Sequence, residues 1–200
     1  MFTGIITDIG RIEAAEQRGD LRLRISCHYD MARVDLGASI ACSGVCLTVV
    51  DKGEHWFAVD LSAETILRTA PGLWEAGNSL NLERSLKLGD ELGGHIVTGH
   101  VDGVGEIEAA VDVGGSVRLA ILAGPAVEAY IARKGSVALD GVSLTVNDVE
   151  TLSEGVRFTV NIIPHTALQT SFADVRPGRR VNIEIDVLAR YIGRMMELRR

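Results

Sequence analysis

The sequence predicts an all-β protein: two tandem six-stranded closed β-barrels related by internal duplication, followed by a C-terminal amphipathic helix. Three observations predict it. A framework recurs after about 95 residues, each copy is cut into short alternating segments rich in β-branched residues, and the tail switches to a helical period.

The repeat carries most weight, because self-similarity decides the architecture before any single element does. Thr3-Gly4, Gly10 and Ile12-Glu13-Ala14-Ala15 return as Thr98-Gly99, Gly105 and Ile107-Glu108-Ala109-Ala110, an offset of 95. ASIACSGVCLTV at 38–49 returns as GSVALDGVSLTV at 135–146, an offset of 97. Residues 57–69 match 158–170, and Gly77-x3-Asn81-Leu82-Glu83 matches Gly178-x3-Asn182-Ile183-Glu184, both at 101. The rising offset marks short loop insertions. A period this long exceeds the roughly 20–50 residues of solenoid units, so each copy is read as a domain. The expected division is 1–95, 96–185 and a tail at 186–200.

Strands are expected at Ile5-Ile6, 21–25, 39–41, 46–50, 56–61 and 79–82, each bounded by Gly, Asp or Asn. About six such strands per copy suit a small barrel, since closure removes exposed edges. One short helix or turn is expected at 63–68, with its counterpart at 166–170. After Asp186, the residues Leu188, Ile192, Met195 and Leu198 recur every three or four positions. That helix has no counterpart in the first copy, and another subunit is the natural cover for its apolar face.

Composition excludes several classes. Apolar residues make up 46% and charged ones 24%, enough for a packed core and too mixed for a disordered chain. The net charge of −7 is spread along the chain and no dense Lys/Arg run occurs, so nucleic acid is not an expected partner. Met1-Phe2-Thr3-Gly4 offers no basic, then apolar, leader and no stretch is long and apolar enough for a membrane helix; no membrane partner is expected, and a cytoplasmic location is. Cys27, Cys42 and Cys46 form no Cys-x-x-Cys pair, and their odd number argues for free thiols. His95 and His100 would point to opposite faces of a continuous strand, so no metal site is expected.

Function is sought where the copies disagree. Cys46 stands against Ser143, Ile5 against His100, Ser43 against Asp140, Asp60 against Asn161 and Glu64 against His165. A duplicated site with unlike reactive groups can bind two similar ligands and treat them unequally. Each residue also has a plain structural reading: Cys46 as a small buried hydrophobe, His100 as a structural histidine, Thr48 and Thr145 as strand formers, and Gly44, Gly93, Gly94 and Gly141 as turn or bulge residues.

Together, MFTGI at Met1, SGVCLTV at Ser43, NLERSLKLGDELGGHIVTGHVDG at Asn81, KGSVALDGVSLTVN at Lys134, IPHT at Ile163 and NIEIDVLARY at Asn182 resemble the riboflavin synthase family, from Met1 to about Tyr191. The resemblance implies a cofactor-free dismutation. Two molecules of 6,7-dimethyl-8-ribityllumazine exchange a four-carbon unit, giving riboflavin and 5-amino-6-ribitylaminouracil. It further implies a homotrimer held by the C-terminal helices, each site lying between the first barrel of one subunit and the second barrel of its neighbour; it leaves open an association with lumazine synthase. Carried over residue by residue, one lumazine is expected to meet Gly4, Ile5, Ile6, Cys46, Leu47, Thr48, Asp60, Leu61, Ser62, Ala63, Glu64 and Thr65. The other is expected to meet Gly99, His100, Val101, Lys134, Ser143, Leu144, Thr145, Asn161, Ile162, Ile163, Pro164, His165 and Thr166, with Phe2 closing the shared site.

The implied chemistry suits these residue types. A carbanion at the C7 methyl of one lumazine calls for a proton acceptor, for which His100 is the natural candidate near neutrality. Its charge would be dispersed toward backbone N–H groups and the Thr48 and Thr145 hydroxyls. Either Cys46 or Ser143 adds to the partner ring or steers a water. Three positions depart from the family pattern: Ser43 replaces a usual Asn, Thr98 a common Gln, and Gly193 interrupts the tail helix at roughly 1 kcal/mol relative to Ala. The alternative reading is a non-catalytic lumazine or flavin carrier or chromophore protein. Such a protein needs one intact pocket, whereas both copies keep polar groups here.

Overall fold

The computed structural model describes residues 1–198. Twelve strands form two closed antiparallel barrels with one strand order. The first comprises β1 (Asp8–Arg18), β2 (Asp20–Ser26), β3 (Ser39–Cys42), β4 (Val45–Lys52), β5 (Trp56–Leu61) and β6 (Ser79–Arg84). Around the barrel they run β1-β2-β5-β4-β3-β6. The second comprises β7 (Gly103–Val113), β8 (Ser116–Ala123), β9 (Ser136–Leu139), β10 (Val142–Leu152), β11 (Gly155–Ile162) and β12 (Arg180–Ile185), running β7-β8-β11-β10-β9-β12. Even the bulges repeat: β1 shifts register between Ile12 and Ala14, and β7 between Ile107 and Ala109.

Alternation explains both the cores and the outward positions. In β4, Val45, Leu47 and Val49 are buried in the barrel, which turns Cys46 and Thr48 outward. β10 repeats the pattern, with Val142, Leu144 and Val146 inside and Ser143 and Thr145 outside. Short helices follow the fifth strand of each barrel: α1 (Ala63–Arg68) and, after α2 (Pro125–Glu128) in the β8–β9 connection, α3 (Pro164–Gln169). The first strand differs from expectation. Ile5-Ile6 lies outside any strand, and pairing begins at Asp8.

The barrels meet across a local pseudo-two-fold. Two buried asparagines cross it reciprocally. The Asn81 amide donates to the Asp140 carbonyl at 2.9 Å and accepts from the Ser171 N–H at 2.7 Å. Asn182 donates to the Ser43 carbonyl and accepts from the Ala70 N–H, both at 2.8 Å. Ser43 and Asp140 share a positive φ of 45°. Each side chain accepts from the asparagine of its own barrel, Ser43 Oγ from Asn81 N at 3.2 Å and Asp140 Oδ1 from Asn182 N at 2.8 Å. Serine at 43 thus performs the turn-capping task of its aspartate counterpart.

The tail forms α4 (Val187–Glu197), with Asp186 capping its first turn through Leu188 N at 2.9 Å. Residues 199 and 200 of the expected helix lie outside the described residues. Arg190 grips Asp102 with two hydrogen bonds of 2.6 and 2.9 Å, tying α4 to its own barrel. Gly193 has a positive reason to be there: a Cβ would collide with the ring of Tyr130. Leu188, Tyr191, Ile192, Met195, Met196 and Leu198 stay exposed. Cys27, Cys42 and Cys46 are free thiols. No helix among the described residues is long and apolar enough to cross a membrane.

Candidate active site

Two candidate half-sites sit on the outer walls of the barrels, and the chain builds each from both copies. Cys46 and Thr48 face outward from β4; the backbone that meets them is the second copy's Thr-Gly turn, since Cys46 N donates to the Gly99 carbonyl at 2.9 Å. Reciprocally, Ser143 N donates to the Gly4 carbonyl at 2.8 Å. Side chains follow the same exchange. Val101 packs on the core of the first barrel and Ile6 on the core of the second. Within the chain, therefore, each Thr-Gly turn docks on the barrel of the other copy. Gly99 and Val101 lie against the first barrel beside Cys46, and Gly4 and Ile6 against the second beside Ser143.

Glycine is required at these crossings. Gly4 and Gly99 have φ of 76° and 81°, and an added Cβ would lie 2.6 Å from Ser143 Cβ or 2.5 Å from Cys46 Cβ respectively. Each turn is pinned by a buried glutamate of its own barrel. Glu83 accepts from Thr3 N at 2.6 Å, Thr3 Oγ1 at 2.7 Å and Gly4 N at 2.9 Å. Glu184 accepts from Thr98 N and Thr98 Oγ1, both at 2.6 Å, from Gly99 N at 2.9 Å and from His100 N at 3.1 Å. Burial pushes the Glu83 carboxyl up, against the pull of these three donors. Thr98 thus does for its copy what Thr3 does for the first. From the sequence Glu83 and Glu184 read as framework; their signal is an Asn-x-Glu spacing, which puts two polar groups on the outer face of a strand. That face is buried only if another domain covers it.

Away from the turns the half-sites diverge. Asp60 forms a two-pronged pair with Arg22, 2.8 Å at each contact, which holds its carboxyl below the usual carboxylate range. Its counterpart Asn161 accepts instead from the Asn147 amide at 3.1 Å. Beyond Leu61, Ser62 caps α1 through Thr65 N at 3.2 Å. Ala63 begins that helix, and Glu64 pairs with Arg68 along it. In the second copy Ile162 ends β11, Ile163 takes the cap position without a side-chain bond, and Pro164, His165 and Thr166 open α3. His165 is exposed, and Lys134 has a left-handed φ of 66° in the turn before β9.

Two ring-bearing residues sit deep beside these surfaces. Phe2 is fully buried with Val97, Ala41 and Ala138 between the barrels, exchanging backbone hydrogen bonds of 2.7 and 3.0 Å with Val97. His95, which the sequence offers only as half of an improbable metal pair, has Nδ1 2.7 Å from Ser143 Oγ. Burial lowers the pKa of its ring, opposed by the charge of Asp186, and favours the neutral imidazole. No cluster of three or more His, Cys, Asp or Glu suited to a metal occurs among the described residues.

The lumazine binding domain family matches the chain twice, over residues 3–85 and 98–186. The sequence is 49% identical to a riboflavin synthase of Brucella abortus (strain 2308), with 98% of each chain covered. The chain belongs to the riboflavin synthase family. Within that family it is 44% identical to a Photobacterium phosphoreum member over 98% of this chain and 89% of the other. Identity to the Bacillus subtilis (strain 168) member is 38%, covering 98% and 90%. Among solved structures, LumP complexed with 6,7-dimethyl-8-(1'-D-ribityl) lumazine superposes with a TM-score of 0.78 at 22% identity, covering 92% of this chain and 99% of that one. LumP with riboflavin gives 0.80 at 23%, with the same coverage. At these identities the likeness to LumP is one of fold.

Proposed function

We propose that the chain is a riboflavin synthase, transferring a four-carbon unit between two molecules of 6,7-dimethyl-8-ribityllumazine to leave riboflavin and 5-amino-6-ribitylaminouracil. The observation that carries this reading is the pair of half-sites with one backbone frame and unlike side chains. A dismutation needs identical molecules held in similar ways and treated differently. Full-length identities of 38–49% to riboflavin synthases support it over the carrier reading.

In this proposal one lumazine lies on β4 and β5 against Gly99, His100 and Val101, contacting Cys46, Leu47, Thr48 and the segment from Asp60 to Thr65. The other lies on β10 and β11 against Gly4, Ile5 and Ile6, contacting Ser143, Leu144, Thr145 and the segment from Asn161 to Thr166, with Lys134 reaching the shared space. The Thr48 and Thr145 hydroxyls and the pinned backbone stabilise negative charge on the rings, and His100 carries the proton. Holding two rings in register supplies up to ~7–11 kcal/mol of the barrier reduction, the range for well-oriented reactants. Phe2 acts from beneath, as the wedge that sets the spacing of the barrels.

The units 1–95 and 96–185 each supply the strand wall of one substrate's site and the turn that closes the other's, and 186–200 is the association segment. A homotrimer explains the exposed apolar residues of α4, and brings the first barrel of one subunit to the second of its neighbour. The same reading places the protein in the cytoplasm and allows docking to lumazine synthase. Incubating the purified protein with the lumazine alone tests the activity. Riboflavin and the pyrimidine are expected in a 1:1 ratio, and binding without either product would select the carrier.

A further inference from the structure

We propose that His95 is a positioning residue that makes Ser143 a hydrogen-bond donor to the substrate rather than a nucleophile; the inference rests on the synthase reading for its kinetic consequence only. The relevant geometry is one contact and one atom without a partner. His95 Nδ1 lies 2.7 Å from Ser143 Oγ, the residue is 8% exposed, and Nε2 is buried with no hydrogen-bond partner. Gly94 adds a wall: a Cβ there would collide with the Thr3 carbonyl and lie 2.9 Å from Ser143 Oγ.

A neutral imidazole has one proton to place. With Nδ1 as acceptor of the Ser143 hydroxyl, that proton must sit on Nε2, where it becomes a buried N–H with nothing to receive it. With the proton on Nδ1, the ring donates to Ser143 Oγ and leaves only a bare lone pair inside; buried orphan donors are the rarer of the two defects in folded proteins. The second tautomer frees the Ser143 hydroxyl proton. Since Ser143 itself is half-buried and faces outward from β10, that proton is aimed at the half-site, polarised by the hydrogen bond that Oγ accepts. Negative charge develops on the rings in this chemistry, and a fixed donor is what such charge requires.

The first half-site has no equivalent. Among the described residues, no side chain makes a hydrogen bond to Cys46 Sγ, so Cys46 keeps the freedom that Ser143 has lost. The contrast leaves Ser143 as the fixed donor of its half-site.

The tautomer is directly measurable. Long-range 1H–15N NMR of the histidine-labelled full-length protein at neutral pH, with His95 assigned by the signal missing in His95→Asn, is expected to show a proton on Nδ1 and none on Nε2. A proton on Nε2 overturns the proposal, and this readout is taken on the wild-type chain. Kinetically, His95→Phe should lower kcat about 100-fold, the scale of losing one fixed transition-state donor, with KM changed only a few-fold. His95→Asn, whose amide N–H replaces Nδ1–H, should recover most of that loss. Wild-type turnover by His95→Phe overturns the proposal as well. Should the wild-type chain itself form no riboflavin, the synthase reading fails while the tautomer result still decides the hydrogen bond.

Discussion

The two half-sites share a skeleton and differ in their reactive groups, and the contrast shows which features the fold dictates and which the chemistry does. The shared parts are those that cross between barrels, Gly4 and Gly99 with Asn81 and Asn182, and the glutamates that pin the crossing turns, Glu83 and Glu184. Replacing any of them would leave buried donors without acceptors or force a side chain into backbone. The differing parts, Cys46 against Ser143 and Asp60 against Asn161, point outward from their strands, where the barrel core places no demand on them. A duplicated fold holds its joinery constant and lets its outward positions diverge.

The largest effect should come from breaking the joinery. Glu83→Ala strands the donors of Thr3 and Gly4, and at about 1–3 kcal/mol for each orphaned group it is expected to destabilise by roughly 3–5 kcal/mol. Urea unfolding would measure it. The ligand site that suffers should be the one containing Ser143, across the boundary from Glu83, and loss at the Cys46 site instead would refute the crossed assignment. Gly99→Ala comes next, combining a left-handed φ with a clash against Cys46; about 2–3 kcal/mol is expected, with damage confined to the first barrel's site.

A smaller effect follows from His95. Its ring is held below the ordinary value of 6.5, so in the window between that value and its folded one the unfolded chain binds a proton that the folded chain refuses. Stability contributed by the neutral ring is therefore full above 6.5 and lost as pH falls through that window. His95→Asn should flatten this part of a stability–pH curve, and an unchanged slope would show that His95 titrates normally. Smallest of all is Asp60→Asn, which makes the first half-site resemble the second. Because the pair with Arg22 lies at the surface, the urea midpoint should hardly move, while riboflavin binding at the first barrel weakens a few-fold by fluorescence titration.

Much of the fold is legible in the sequence because duplication writes the same pattern twice, and the helix expected at 63–68 coincides with α1. β1 escapes that reading for a physical reason. Asp8–Arg18 is rich in Glu, Ala, Gln and Arg, and its outer half is an exposed ribbon paired only with β2, so neither propensity nor alternation announces a strand. Which turn docks on which barrel escapes it differently. Sequence offset pairs residues by copy, but a segment that leads into one barrel can dock on the other, and nothing local to Thr3-Gly4 or Thr98-Gly99 records which. His95 carries no local signal either: its spacing to His100 has meaning only on a continuous strand, which the chain does not form there, and its partner, Ser143, lies 48 positions away.

The crossed turns also bear on how such a chain can change. Each Thr-Gly turn is supported by one barrel and used by the other, so damage to either copy is felt in its twin's binding surface. A lesion that disrupts one whole copy is therefore expected to lower ligand binding at both faces of the molecule.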